Sequence, residues 1–213
     1  MPFPFAVYLI YLAVGLAGLL VQLVAIVASK VRIEEIQLFY GQALATYDLG
    51  RIQLHLGWIP LGCSAKYDIH QLAQLPTIVR VGIVLIPSVF LLGLGLLLLG
   101  PEQGWHHFVT GFRQTVEGIL RPQAVGYPLV GKLHALYQQS PVTTTGVICA
   151  KWAAWSLMPV GHVGGLVLSH ILSPPLRRRE KVDWVVSLAM LVGFLATVVW
   201  MGIFLVYAVK HWS

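Results

Sequence analysis

"GLLVQLVAIVASKVRIEEIQLFYG", Gly18 to Gly41, is the stretch that decides how this chain folds. Its first half is apolar and uncharged; from Val31 it turns to β-branched and aromatic residues. The reading is a membrane-crossing helix that runs directly into a strand. The apolar run extends back to Phe5, so residues 5–28 form a first span, a bilayer needing about 20 apolar residues. With no basic n-region before it and no A-x-A-like site after it, the run is expected to be a retained helix, not a cleaved leader.

The rest of the chain agrees. It is 57% hydrophobic and 10% charged, where soluble domains have about 45–50% and roughly 25%. Mean hydropathy is +0.78. A second span is expected at 78–99, with Arg80 at its edge. A third is expected at 142–172, interrupted by Pro159, Gly161, Gly164 and Gly165, and a fourth at 184–209. The fold class expected is an all-α polytopic membrane protein. It is a bundle of four transmembrane helices forming a single membrane domain over 1–213, with a small membrane-associated β-hairpin or sheet after the first helix.

Charge orients such a bundle. With four spans, segments 30–80 and 173–183 share a side and carry nine cations: Lys30, Arg32, Arg51, Lys66, Arg80, Arg177, Arg178, Arg179 and Lys181. The opposite side has Arg113, Arg121, Lys132 and Lys210. The positive-inside rule puts the richer side in the cytoplasm and both termini outside, in a cytoplasmic (inner) membrane. The net charge of +6 is therefore read as topology and headgroup contact. The lipid bilayer is the expected partner, and no nucleic acid is. Cys63 and Cys149 stand in no C-x-x-C pair and read as small buried apolar residues.

Segment 30–66 is unusual for a loop. "VRIEEIQLFYG" and "GRIQLHLGWIPLG" read as strands, with "ATYDLG" as a turn between them. A short sheet at the cytoplasmic membrane face is expected, its outer strand near Leu54 and His55 offering backbone groups to an extended peptide. Residues 101–141 are expected to be an outer loop. Within it Phe108, Phe112, Val116 and Ile119 recur at helical spacing, which predicts a short amphipathic helix lying on the membrane. No internal repeat is visible, which speaks against an inverted-repeat transporter.

These pieces, in this order, resemble the site-2 proteases, intramembrane zinc metalloproteases. "VRIEEIQLFYG" is similar to the strand after that family's first span. "PLGCSAKY" keeps Pro60, Leu61 and Gly62 of its second strand, and "TIVRVGIVLIPSVF" keeps Pro87. "GILRPQAVGYPLVGKL" is similar to the end of its outer loop. "WSLMPVGHVGGLVL" keeps Pro159 and the Gly164–Gly165 pair of its broken third span. The resemblance implies zinc held by H-E-x-x-H on the first span and by an L-D-G aspartate on the third. Two histidines four residues apart share a helix face and bind the metal, and the glutamate acts on its water.

Aligned on Gly41, the ligand and base positions fall on Gly18, Leu19 and Gln22. Aligned on Gly164–Gly165, the aspartate falls on Val163. The expectation is a degenerate member: no catalytic residues, no cofactor, no cleavage, and a role in binding a transmembrane segment of another protein. His162 is a weak metal candidate, since one histidine does not make a site needing three ligands. Its plainer reading is a polar group bonded within the helix break. Gln22 is expected to bond to that break, Trp155 to partly fill the cleft, and Lys151 to snorkel to the interface. His106 and His107 read as a solvated helix face. The alternative is an active zinc endopeptidase drawing ligands from elsewhere; a small transporter rests only on Lys151 and the broken span.

Overall fold

The structure, a computed structural model, describes residues 2–158 and 180–211. The protein is mostly helical; among the described residues there is one small sheet, and three helices are long and apolar enough to cross a membrane: Phe3–Ala28, Thr77–Leu99 and Ser187–Lys210. The expected third span is seen only as Pro141–Leu157; its remainder, including Pro159, His162, Val163, Gly164 and Gly165, lies outside the described residues.

Helix α1 (Phe3–Ala28) ends inside the stretch that decides the fold. Lys30 adopts φ 59. Its N–H donates to the Val27 carbonyl at 2.9 Å, and Val31 N–H reaches back to Ile26 at 3.2 Å. This bond pair is a Schellman close, and Ile26 and Val31 make the apolar contact that goes with it. A lysine occupies the left-handed position that glycine usually fills, so the stop is invisible to a search for glycine.

Strands β1 (Ile33–Asp48) and β2 (Gln53–Tyr67) then pair with an unusual register. Glu35 to Leu38 lie between two stretches of β2: Lys66 to Cys63 on one side, numbered oppositely, and Gln53 to Leu56 on the other, numbered in the same sense. Gln53 to Leu56 pair also with Asp48 to Ala45. Each long strand therefore folds back on itself, giving four rungs in the order 43–48, 53–57, 33–38, 63–67. The reversals use positive φ at Phe39 (67) and at Gly41 (91), Gly50 (84) and Gly62 (70). At Gly62 the Tyr40 ring also fills the space a Cβ would need.

The sheet stands against α1. Cys63 Sγ contacts the Gly15 carbonyl at 3.6 Å, and Tyr8 Oη donates to the Pro60 carbonyl at 2.5 Å. From Ala28 back to Gly15, α1 rises about 20 Å, and Ile33 to Leu38 covers roughly 17 Å as a strand. The sheet climbs beside the helix that precedes it.

Asp68 caps the short helix α2 (Ile69–Gln74), accepting from the His70 and Gln71 amides. Helix α3 (Thr77–Leu99) contains Pro87 and stops at Gly100, φ 82, directly before Pro101. Helix α6 (Pro141–Leu157), capped by Ser140, runs antiparallel to α3. Gly146 meets Leu98 and Leu99 at one end, Gly95 meets Ala150, and Ser88 meets Ser156 at the other.

Between them the chain makes a helical hairpin instead of a loop. Helix α4 (Pro101–Leu120), a π-helical turn at Pro122–Gly126 and α5 (Tyr127–Gln139) return the chain to α6. Helix α4 packs on two neighbouring helices. Gly104 fits against Leu96 of α3 and Gly111 against Ala154 and Lys151 of α6. Phe108 and Phe112 join the central core with Val14, Leu91 and Cys149. The predicted apolar stripe is real, but it packs on protein because two glycines let the backbones close. Only Val116, 47% exposed, stays outside.

Helix α7 (Glu180–Lys210) closes the bundle, Trp200 against Gly118 and Ile203 against Gly126. Near its end Phe204 and Tyr207 pack on Phe3, so both chain ends lie at one end of the bundle.

Candidate functional site

Two places bring chemistry together: the junction of α1, α3 and α6 where the resemblance puts a metal, and the open side of the sheet.

At the junction, Gly18 and Leu19 are buried. A Cβ on Gly18 would sit 3.7 Å from the Pro87 Cβ, ordinary contact, so α1 lies directly on the proline of α3. One residue further, Ser88 Oγ and Ser156 Oγ are 2.7 Å apart, both buried. Ser156 Oγ also donates to the Ala153 carbonyl at 2.9 Å. A serine hydroxyl has one proton, so Ser88 donates to Ser156 and Ser156 passes its own proton to the backbone. The chain of bonds ends in a carbonyl and leaves no hydroxyl free to attack a substrate.

Gln22 is half-buried, and the break it was expected to reach lies outside the described residues. Trp155, half-buried, adjoins Ser156 on α6. Among the described residues no three His, Cys, Asp or Glu side chains group as a metal site would require. The donor chemistry of Gly18, Leu19 and Gln22 does not fit a zinc ion: the first two carry no donor, and an amide is a poor ligand.

On the sheet, Leu54 and His55 are not at an edge. Leu54 pairs with Ile36 on one side and Tyr47 on the other, and His55 with Gln37 and Thr46. His55 Nδ1 lies 3.0 Å from Thr46 Oγ1, and its Nε2 3.7 Å from Glu35, so the ring ties three rungs together. The expected partner-binding role for Leu54 and His55 is thereby corrected: their backbone groups are already paired, because β1 doubles back to cover them. Of the two outer rungs, Ala43–Asp48 is the one away from Cys63 and its contact with α1. It displays Leu44, 72% exposed, and Tyr47, 55% exposed, next to Leu49 and Trp58. Pro60 and Gly62 serve the turn at the top of the sheet, Pro60 through the bond from Tyr8. Burial and the neighbouring Cys63 push the Tyr40 phenol up, and burial pushes the Cys63 thiol up.

The sequence reading missed the serine pair and a contact of Lys151. The Lys151 ammonium donates to Gln114 Oε1 on α4. The available signal was a serine directly after Pro87 and another beside Trp155, small polar residues that an apolar span holds only with partners.

No family model, curated protein or solved structure matches the chain.

Proposed function

We propose that this protein is a catalytically silent, site-2-protease-like membrane protein that holds an extended segment of another membrane protein along the rung Ala43–Asp48. The observation behind this is the position of that rung. The sheet climbs α1 to Gly15 and Tyr8; with α1 crossing a bilayer in this reading, the sheet would sit at bilayer depth. An open sheet edge facing hydrocarbon leaves backbone groups unsatisfied at several kcal/mol each, so it is tolerated only against protein or water. A segment added as a further strand satisfies those groups, and exposed Leu44 and Tyr47 supply contact for its side chains. The junction of Gly18, Pro87, Ser88 and Ser156 supports the silent half of the proposal, since it offers neither a ligand set nor an activated nucleophile. In this reading the bundle has four spans in a cytoplasmic membrane, with both termini outside.

A photoreactive residue at position 44 or 47 tests the holding role against controls at position 54, inside the sheet, and position 97, where Leu97 is 79% exposed on α3. Discrete crosslinked partners at 44 and 47 alone are expected. The same partners at position 97 would refute the role. Stoichiometric zinc, lost on chelation together with cleavage of a helical substrate, would overturn the silent reading.

A further inference from the structure

Among the described residues Lys151 has no counter-ion. Of the chain's eight acidic residues, Glu34, Glu35, Asp48 and Asp68 belong to the sheet and its exit. Glu180 and Asp183 fall in the first turn of α7. Glu102 occupies the first turn of α4, about 18 Å along the helix from Gln114 and well placed for the dipole there. Glu117 is paired with Arg113 at 3.1 Å. Among the described residues the acidic side chains close to a basic one are Glu117, beside Arg113, and Glu35, beside His55.

What surrounds the ammonium is neutral or positive. Gln114 Oε1 takes one of its protons, which leaves two of the three donors. Lys132, on α5, lies near enough for the two charges to repel, and Lys151 acts in the same way on His107 of α4. Gly111 fixes the arrangement, because its missing side chain lets α4 close onto the Lys151 backbone. A half-buried cation facing other cations costs free energy unless an anion joins it.

Depth and surroundings identify the anion. Ala150 packs on Gly95, four residues from the end of α3, so Lys151 lies about 6 Å below that end, at the level of lipid headgroups and acyl ester groups. We infer that α4, α5 and α6 form a binding site for the phosphate of an anionic glycerophospholipid, with Lys151 and Gln114 at its centre and Lys132 at its mouth. This site is separate from the sheet edge and stands whether or not that edge holds a partner.

The test titrates the purified full chain, in neutral detergent, with phosphatidylglycerol, with phosphatidylcholine and with inorganic phosphate, following thermal unfolding. Phosphatidylglycerol is expected to raise the wild-type midpoint and phosphatidylcholine to leave it unchanged. Lys151→Gln should weaken the phosphatidylglycerol response roughly tenfold or more, and Lys151→Arg should keep it, as loss of a charged hydrogen bond implies. Each variant is compared with itself without lipid, so a change in basal stability does not obscure the result. An equal response to phosphatidylcholine, an equal response to inorganic phosphate, or an undiminished response in Lys151→Gln would overturn the assignment.

Discussion

The serine pair between α3 and α6 makes an asymmetric prediction. Because Ser156 spends its proton on the Ala153 carbonyl at 2.9 Å, Ser88 is the donor in the 2.7 Å contact. Ser88→Ala removes that donor and leaves Ser156 still bonded to the backbone. The cost should be that of one net hydrogen bond, about 0.5–1.5 kcal/mol. Ser156→Ala removes the acceptor and leaves a hydroxyl that is 1% exposed without its partner. Its cost should approach the desolvation penalty of an orphaned group, about 1–3 kcal/mol. A helical serine can turn to the carbonyl four residues back, which favours the lower end of that range. The double variant should show a coupling near 0.6 kcal/mol and below about 1.7 kcal/mol, the span found for such pairs in a bilayer. Unfolding in bicelles, with all three variants in one lipid mixture, measures these quantities. If Ser88→Ala costs more than Ser156→Ala, the proton runs the other way; if the two changes add without coupling, the contact is not a hydrogen bond.

Three further outcomes follow from the geometry. Gly111→Leu should destabilise by about 1–3 kcal/mol through overpacking, because a Cβ there would already lie 2.9 Å from Ala154. Gly82→Ala, with nothing within 4 Å, should be neutral or stabilising by up to about 1 kcal/mol; thermal unfolding ranks the two. Gly62→Ala should cost about 1–2 kcal/mol for the left-handed backbone alone, more once the Tyr40 ring must move, and should perturb the Tyr40 environment in near-ultraviolet spectra. Burial, then Lys151 and His106, hold His107 below its ordinary 6.5. The unfolded chain therefore takes up this proton first as pH falls. Stability should be complete above pH 6.5, decline as pH drops through the lowered folded value, and decline less in His107→Gln.

Much of the fold was legible in the residues of a single stretch and in the runs that echo it. An uncharged run from Phe5 to Ala28 must leave water, since nothing in it is soluble enough to stay. The change at Val31 to β-branched and aromatic residues marks a strand, and Pro60, Gly62, Pro87 and Gly100 mark turns or breaks by their backbone restrictions. It was equally legible that the side chains of Gly18 and Leu19 carry no donor atom for a metal. What the sequence could not supply were facts that depend on two distant segments at once. Periodicity shows that Phe108 and Phe112 share a helix face, but not whether that face meets lipid or protein. Gly104 and Gly111 decided it by letting α4 close on α3 and α6. Alternation of side chains cannot say that β1 folds back beside β2 and covers Leu54 and His55, since register is a property of pairing, not of composition. Nor can one serine in an apolar run name its partner 68 positions away. Local chemistry sets what each segment must avoid, solvent or hydrocarbon; only tertiary packing chooses which neighbour relieves it.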